Sequence, residues 1–134
     1  MLVAAVGNTV LAAFLMPGVA RLPRTEHVTK MAHEMRARMD AQTPFYCVGT
    51  YVQSLVFYLG RTCTLVEYRG ELDYGLNAEP ALGLASVREF ADRWRAGGQA
   101  VAVIHEEWLD DLWNMGLPMR VIYTGPTVVA VARQ

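Results

Sequence analysis

No charged residue occurs among the first twenty positions, and across the 134-residue chain neither sign is in excess. Twelve basic residues stand against thirteen acidic ones, for a formal net charge of -1. So balanced a surface supplies no field to gather phosphate backbones or a broad anionic lipid surface, and no nucleic-acid partner is expected. The glycines of a dinucleotide-binding turn are missing. Gly49-Thr50-Tyr51, after the first expected strand, offers one glycine where backbone approach to a pyrophosphate needs three. There is no Gly-Lys-Ser or Gly-Lys-Thr of a phosphate-cradling loop and no Gly-x-Ser-x-Gly presenting a nucleophilic serine. These absences exclude P-loop nucleotide hydrolysis and α/β-hydrolase chemistry, and no cofactor is expected. Cysteine is scarce: Cys47 and Cys63 are read as buried free thiols, with a disulfide the alternative in an oxidising compartment. Internal repeats and low-complexity segments are also lacking.

What the chain has instead is apolar mass, and it is unevenly placed. The hydrophobic content is 53%, with much of the excess between Met1 and Ala20. Leu2 to Leu15 is almost wholly Leu, Val, Ala and Phe, and Pro17-Gly18 should stop a helix. A helix from Met1 to Met16 would span about 24 Å, short of the roughly 30 Å hydrocarbon layer. Three readings compete. The first is the end of a transmembrane helix that begins upstream. The second is a cleaved signal peptide, which has a small-x-small end at Gly18-Val19-Ala20 but no basic n-region. The third is a core helix, disfavoured because the segment has no polar face. Arg21 and Arg24 lean weakly toward a cytoplasmic flank.

Beyond Pro23 the periodicities alternate. Thr25 is placed as the N-cap of a helix whose Val28, Met31, Met35 and Met39 form one stripe, a spacing that packing explains better than a metal site. Phe45 to Gly49 reads as a strand. A helix with Val52, Leu55, Val56 and Leu59 follows, stopped by Gly60. Thr62 to Tyr68 is the next strand, and Arg69 to Pro80 a long polar-aromatic loop of the kind that carries sites. Ser86-Val87-Arg88-Glu89 is a capping box opening a helix with Val87, Phe90, Ala91 and Trp94 on one face, closed by Gly97-Gly98. Gln99 to Ile104 is an apolar strand. Glu106 to Met115 is a helix carrying Trp108, Leu109, Leu112 and Trp113, and Arg120–Tyr123 with Thr127–Ala132 form a hairpin around Gly125-Pro126. This order predicts an α/β fold: a small, mostly parallel sheet with helices on both faces, an antiparallel edge from the C-terminal hairpin, and a partial transmembrane helix in front.

Few residues suggest chemistry. His105-Glu106-Glu107 ends a strand where α/β sheets hold ligands, but a zincin helix would need a second His where Leu109 stands. An acidic first turn facing the helix dipole accounts for the two glutamates. His27 and His33, six apart, lie on different helix faces, so no metal pair is expected. The densest polar-aromatic cluster runs from Tyr58 and Arg61 through Glu67, Arg69, Glu71, Asp73 and Tyr74. It fits a surface ion-pair patch of small energetic value. It fits equally a planar anion such as phosphate held by the guanidinium fork of Arg61 or Arg69.

The same stretch carries a family resemblance. Tyr51-Val-Gln-Ser-Leu-Val-Phe-Tyr-Leu-Gly-Arg61, Thr64-Leu-Val-Glu-Tyr68 and Glu71-Leu-Asp-Tyr-Gly75, with Glu89-Phe90 and Trp94 later, resemble the C-terminal region of bacterial aminoarabinose transferase-like glycosyltransferases. The resemblance covers roughly Pro44 to Trp94. It implies a many-pass membrane portion upstream, followed by a small α/β domain on the periplasmic side of the bacterial inner membrane. It also implies an enzyme that moves a sugar from undecaprenyl phosphate to lipid A or a similar acceptor. On this reading residues 1–20 are the end of the last transmembrane helix and residues 21–134 the periplasmic domain. The oxidising compartment then raises the prospect that Cys47 and Cys63 pair. The family's catalytic acidic residues lie in loops between its first membrane helices and have no counterpart here, so no catalytic residue is carried over. The implied role is a non-catalytic domain that caps or orders the membrane portion, with Tyr58, Arg61, Arg69 and Glu71 as candidates for that interface or a lipid phosphate. The alternative is a membrane-anchored binding or interaction module without transferase activity.

Overall fold

The computed structural model describes residues 23–68, 70–72, 76 and 79–134, without the side chains of residues 23, 24 and 71. The first helix, α1 (Pro23–Arg36), starts two residues before the expected cap. It is followed by β1 (Phe45–Val48), α2 (Gln53–Leu59) and β2 (Thr64–Val66). Then come β3 (Gly83–Leu84), α3 (Val87–Arg95), β4 (Val101–His105), α4 (Glu106–Asn114), β5 (Met119–Thr124) and β6 (Val128–Arg133). Turn chemistry sets several of these limits. Gly60 ends α2 at φ 66°, where its N–H reaches back to the carbonyls of Val56 and Phe57. Ser86 opens α3 by accepting a hydrogen bond from the Glu89 backbone N–H at 3.2 Å.

The strands form one sheet in the order β3-β2-β1-β4-β6-β5. The first four are parallel, with Tyr46 beside Thr64 on one side and Ala102 on the other. β6 and β5 run antiparallel. The sheet is therefore mixed, not mostly parallel as the alternation of elements predicts, and β3 is an unanticipated strand. The hairpin is also not a simple edge. Val128 to Ala132 are buried on both faces, so β6 lies inside the sheet against β4, and only β5 is left at the rim.

Helices cover both faces, as the periodicities predict. On one face Tyr46, Val48, Ala102, Ile104, Val129 and Val131 meet Phe90, Trp94 and Leu112 of α3 and α4. Three aromatic rings lock there, with Tyr46 and Phe90 5.2 Å apart and Phe90 and Trp94 5.3 Å apart. The Trp94 indole N–H donates to the Pro118 carbonyl at 3.1 Å. Truncating so deeply buried a ring typically costs about 3–5 kcal/mol. On the other face Phe45, Cys47, Leu65, Val101, Val103 and Ala130 meet Met31 and Met35 of α1 and Leu55 of α2. Val28 and Met39, the outer members of the methionine stripe, pack partly against this core. Trp113 departs from expectation and is 42% exposed. The buried stripe of α4 centres on Trp108 and Leu112, and a residue 100° further around the helix turns outward. Among the described residues no helix is long and apolar enough to cross a membrane. The expected end of a transmembrane helix at residues 1–20 lies outside the described residues.

Candidate functional site

In an open α/β sheet ligands gather beyond the carboxyl ends of the strands, where the chain leaves neighbouring strands in opposite directions. Here that point lies between β1 and β4, since the chain runs from β1 outward to β2 and β3 and returns to β4 through α3. Gly49 follows β1 at φ 64°, and a Cβ added there would sit inside the Trp108 indole, against Cδ1 and Nε1. The indole of α4 thus lies directly on the glycine and fills the space a ligand would use. His105 ends β4 with Nδ1 3.5 Å from Glu107 Oε1, at the outer limit of an ion contact, and Nδ1 makes no hydrogen bond. Glu106 and Glu107 occupy the first turn of α4. No three His, Cys, Asp or Glu side chains converge as a metal site among the described residues.

The polar cluster resolves into separate roles. Arg61 donates from both terminal nitrogens to backbone carbonyls, Nη1 to Asp40 at 2.8 Å and Nη2 to Thr43 at 2.7 Å. The loop it grips is ordered from within. Asp40 Oδ1 accepts from the N–H groups of Gln42 and Thr43, both at 2.8 Å, and from the Thr43 hydroxyl at 2.9 Å. The Thr43 hydroxyl and the Gln42 N–H hold the Asp40 carboxyl below its usual range, with Arg61 adding to the effect. The Asp40-x-x-Thr43 spacing ahead of Pro44 is a turn signal that could have been read in the sequence. Arg36 reaches the Tyr58 carbonyl from α1, and the Tyr58 ring meets Phe57 edge-on at 5.7 Å. Arg61 and Tyr58 are thus brought to the same end of α2, where each ties it to other elements. Glu71, whose backbone alone is described, lies in a short 3-10 turn, Gly70–Leu72, and Arg69 lies outside the described residues.

Glu67 carries a role that the sequence does not announce. It stands just past β2 at φ 54°, a conformation costly for a side chain with a Cβ, and its carboxylate accepts from the Val87 N–H at 3.3 Å. It therefore caps α3 from a neighbouring strand. A cavity of about 330 Å³ opens beside it, and another of about 300 Å³ lies next to that one, sharing Leu65 and Leu76 in its wall. Cys63 also lines the second. Cys47 and Cys63 are free and buried in the same core, where the two thiols are neighbours. Burial first, then the neighbouring Cys63, pushes the Cys47 thiol well above the usual range. A third cavity, of about 490 Å³, is lined by side chains from α1, from α2 and the segment before it, and from the β5–β6 turn, with Tyr58 in its wall.

Residues 31–133 match the family described as the aminoarabinose transferase C-terminal domain. The chain belongs to this family. The fold is similar to solved structures of ArnT from Cupriavidus metallidurans, bound to undecaprenyl phosphate and in the apo state, with a TM-score of 0.73 at 27% identity in each case. The match covers 81% of this chain and 20% of that one, so the chain spans about a fifth of the length of ArnT. No curated protein matches it. For this aminoarabinose transferase C-terminal domain, the α/β fold is thus similar to that of part of a much longer protein.

Proposed function

We propose that this chain is the C-terminal, non-catalytic part of a membrane glycosyltransferase that moves an aminoarabinose-like sugar from undecaprenyl phosphate to lipid A or a similar acceptor. The observation that carries this reading is the match of residues 31–133 to the aminoarabinose transferase C-terminal domain. The structural likeness to an ArnT bound to undecaprenyl phosphate supports it. In this reading the domain lies on the periplasmic side of the bacterial inner membrane and orders the membrane portion of its own enzyme. Its partners are that upstream portion and, through it, the lipid-linked sugar and the lipid acceptor. The indole seated on Gly49 supports a non-catalytic role, because it occupies the place where an α/β sheet would otherwise present a substrate. Arg61 and Tyr58 hold the α2 end in shape for the interface, and Arg69 and Glu71 are the neighbouring candidates for contact with it or with a lipid phosphate. In an oxidising compartment the neighbouring buried thiols of Cys47 and Cys63 are where a disulfide would form.

The test uses the native polypeptide in its membrane and follows sugar added to the lipid acceptor by mass spectrometry. The polypeptide should be several times larger than the 14.9 kDa of this chain. Arg61→Ala, which releases the loop carbonyls of Asp40 and Thr43, should cut transfer about tenfold while the protein stays folded and membrane-bound. A native polypeptide near 14.9 kDa, or transfer unchanged in the variant, would sink the proposal.

A further inference from the structure

The cavity of about 490 Å³ is walled by the N-terminal part of α1, by α2 and the residues leading into it, and by the turn between β5 and β6. Five hydroxyl groups line it, from Thr25, Thr50, Ser54, Tyr58 and Thr127. Thr25, Ser54 and Thr127 are exposed and Thr50 and Tyr58 half-buried, so the side chains are accessible from solvent, and each hydroxyl can donate one hydrogen bond and accept two. Its floor is apolar, formed by Val28, Met31, Val52 and Val128. His27 stands in the wall with Nδ1 2.8 Å from the Tyr123 hydroxyl, which fixes the ring. No lysine, arginine, aspartate or glutamate is among the described lining residues.

This composition selects a class of ligand. A phosphate would call for a guanidinium, an ammonium or converging backbone N–H groups. An amino sugar with a protonated amine would call for a carboxylate. An acyl chain would leave five hydroxyls facing hydrocarbon. A neutral sugar ring has both properties that the cavity offers. Its rim of hydroxyls can exchange hydrogen bonds with hydroxyl side chains, and its C–H face can lie on an aromatic ring or aliphatic floor. The volume falls in the range of small-molecule sites.

We infer that this cavity is a subsite for a neutral sugar ring of the acceptor glycolipid, held by the hydroxyls of Thr50, Ser54 and Tyr58 over the floor of Val28 and Val52. This rests on the transferase reading for the identity of the glycan, and it adds a place where the acceptor docks. The donor sugar is an unsuitable occupant, because its amine would meet no carboxylate among the described lining residues. Thr50 lies just before α2, Ser54 in its first turn and Tyr58 one residue before its end, so this helix and the segment leading into it present the hydroxyls.

The experiment titrates the purified full-length enzyme in detergent with N,N′-diacetylchitobiose, followed by saturation-transfer NMR, beside the double variant Thr50→Val, Ser54→Ala. Both substitutions keep side-chain size close to the original, and circular dichroism with the melting temperature checks folding. Saturable binding that weakens on the order of tenfold in the variant is the expected result. Inorganic phosphate should not compete. In the transfer assay the variant should raise KM for the acceptor by a similar factor while kcat and KM for the donor hold. Absence of saturable binding, binding equal in the two proteins, or competition by phosphate overturns the inference. An enzyme that transfers sugar without binding the disaccharide removes the subsite and leaves the transferase reading intact. One that binds the disaccharide but transfers no sugar keeps the subsite and removes that reading.

Discussion

At the scale of single residues, contacts that no periodicity announces define the molecule. Gly49 can be read in the sequence as a lone glycine after a strand, but not as the seat of the Trp108 indole, which comes from a helix nearly sixty positions later. Gly49→Ala would impose a Cβ on a left-handed backbone and drive it into the indole. The expected cost is about 2–4 kcal/mol, combining backbone strain with overpacking. Chemical denaturation should show the loss, and Trp108 fluorescence should shift as the ring is displaced. An unchanged midpoint would mean that the indole is not held there. Arg61 teaches a related lesson. Its charge and its place in a polar cluster suggested an anion ligand, whereas its two terminal nitrogens grip the carbonyls of Asp40 and Thr43. Sequence spacing gives the residue type, but the partner is set by where β1 and α2 bring the loop.

Single elements are more legible than single contacts, because they rest on local chemistry. Both the Ser86 half of the capping box and the stop at Gly60 appear where the sequence places them, while the Glu89 carboxylate accepts from Arg93. Ser86→Ala removes the acceptor for the Glu89 N–H and should lower stability by about 1 kcal/mol, or roughly 4 °C in melting temperature. A change within error would show that Glu67, which reaches the Val87 N–H from β2, suffices to cap the helix alone. The methionine stripe of α1 is legible for the same reason, since Met31 and Met35 face the core at four-residue spacing. Strand β3 is two residues long and leaves no periodicity to read. It exists because β2 offers an open edge, with Leu65 beside Gly83 and Val66 beside Leu84. Trp113 misleads because an apolar residue within a helix reads as core, while the sheet buries only the stripe that faces it.

On the scale of the whole molecule, stability depends on two cores sharing one sheet, and one of them holds a titratable pair. Cys47 is fully buried beside Cys63, and its thiol titrates higher in the fold than in the unfolded chain. The raised value means that the folded state keeps its proton where the unfolded state has lost it. This contribution is fully present below pH about 9 and is lost as pH rises from there toward the folded value. Thermal melts of the reduced protein should therefore fall above pH about 9, and Cys47→Ala should flatten that fall while lowering stability at neutral pH. Equal alkaline slopes in the two proteins would show that Cys47 is not the group responsible.

The sequence by itself determined the order of the helices and of the strands other than β3, the two-faced burial that makes the domain α/β, the capping of α3 and the family. Each of these follows from residue spacing or from motifs contiguous in the chain. Only the tertiary structure decided that the sheet is mixed with β6 inside it, that Trp108 occupies the place beside Gly49, and that Arg61 serves the 40–43 loop. It alone gathered hydroxyls from α1, α2 and the hairpin turn around one cavity. The physical reason is common to all four. They depend on which segments, distant in the chain, the burial of two apolar faces presses together, and no local pattern encodes that choice.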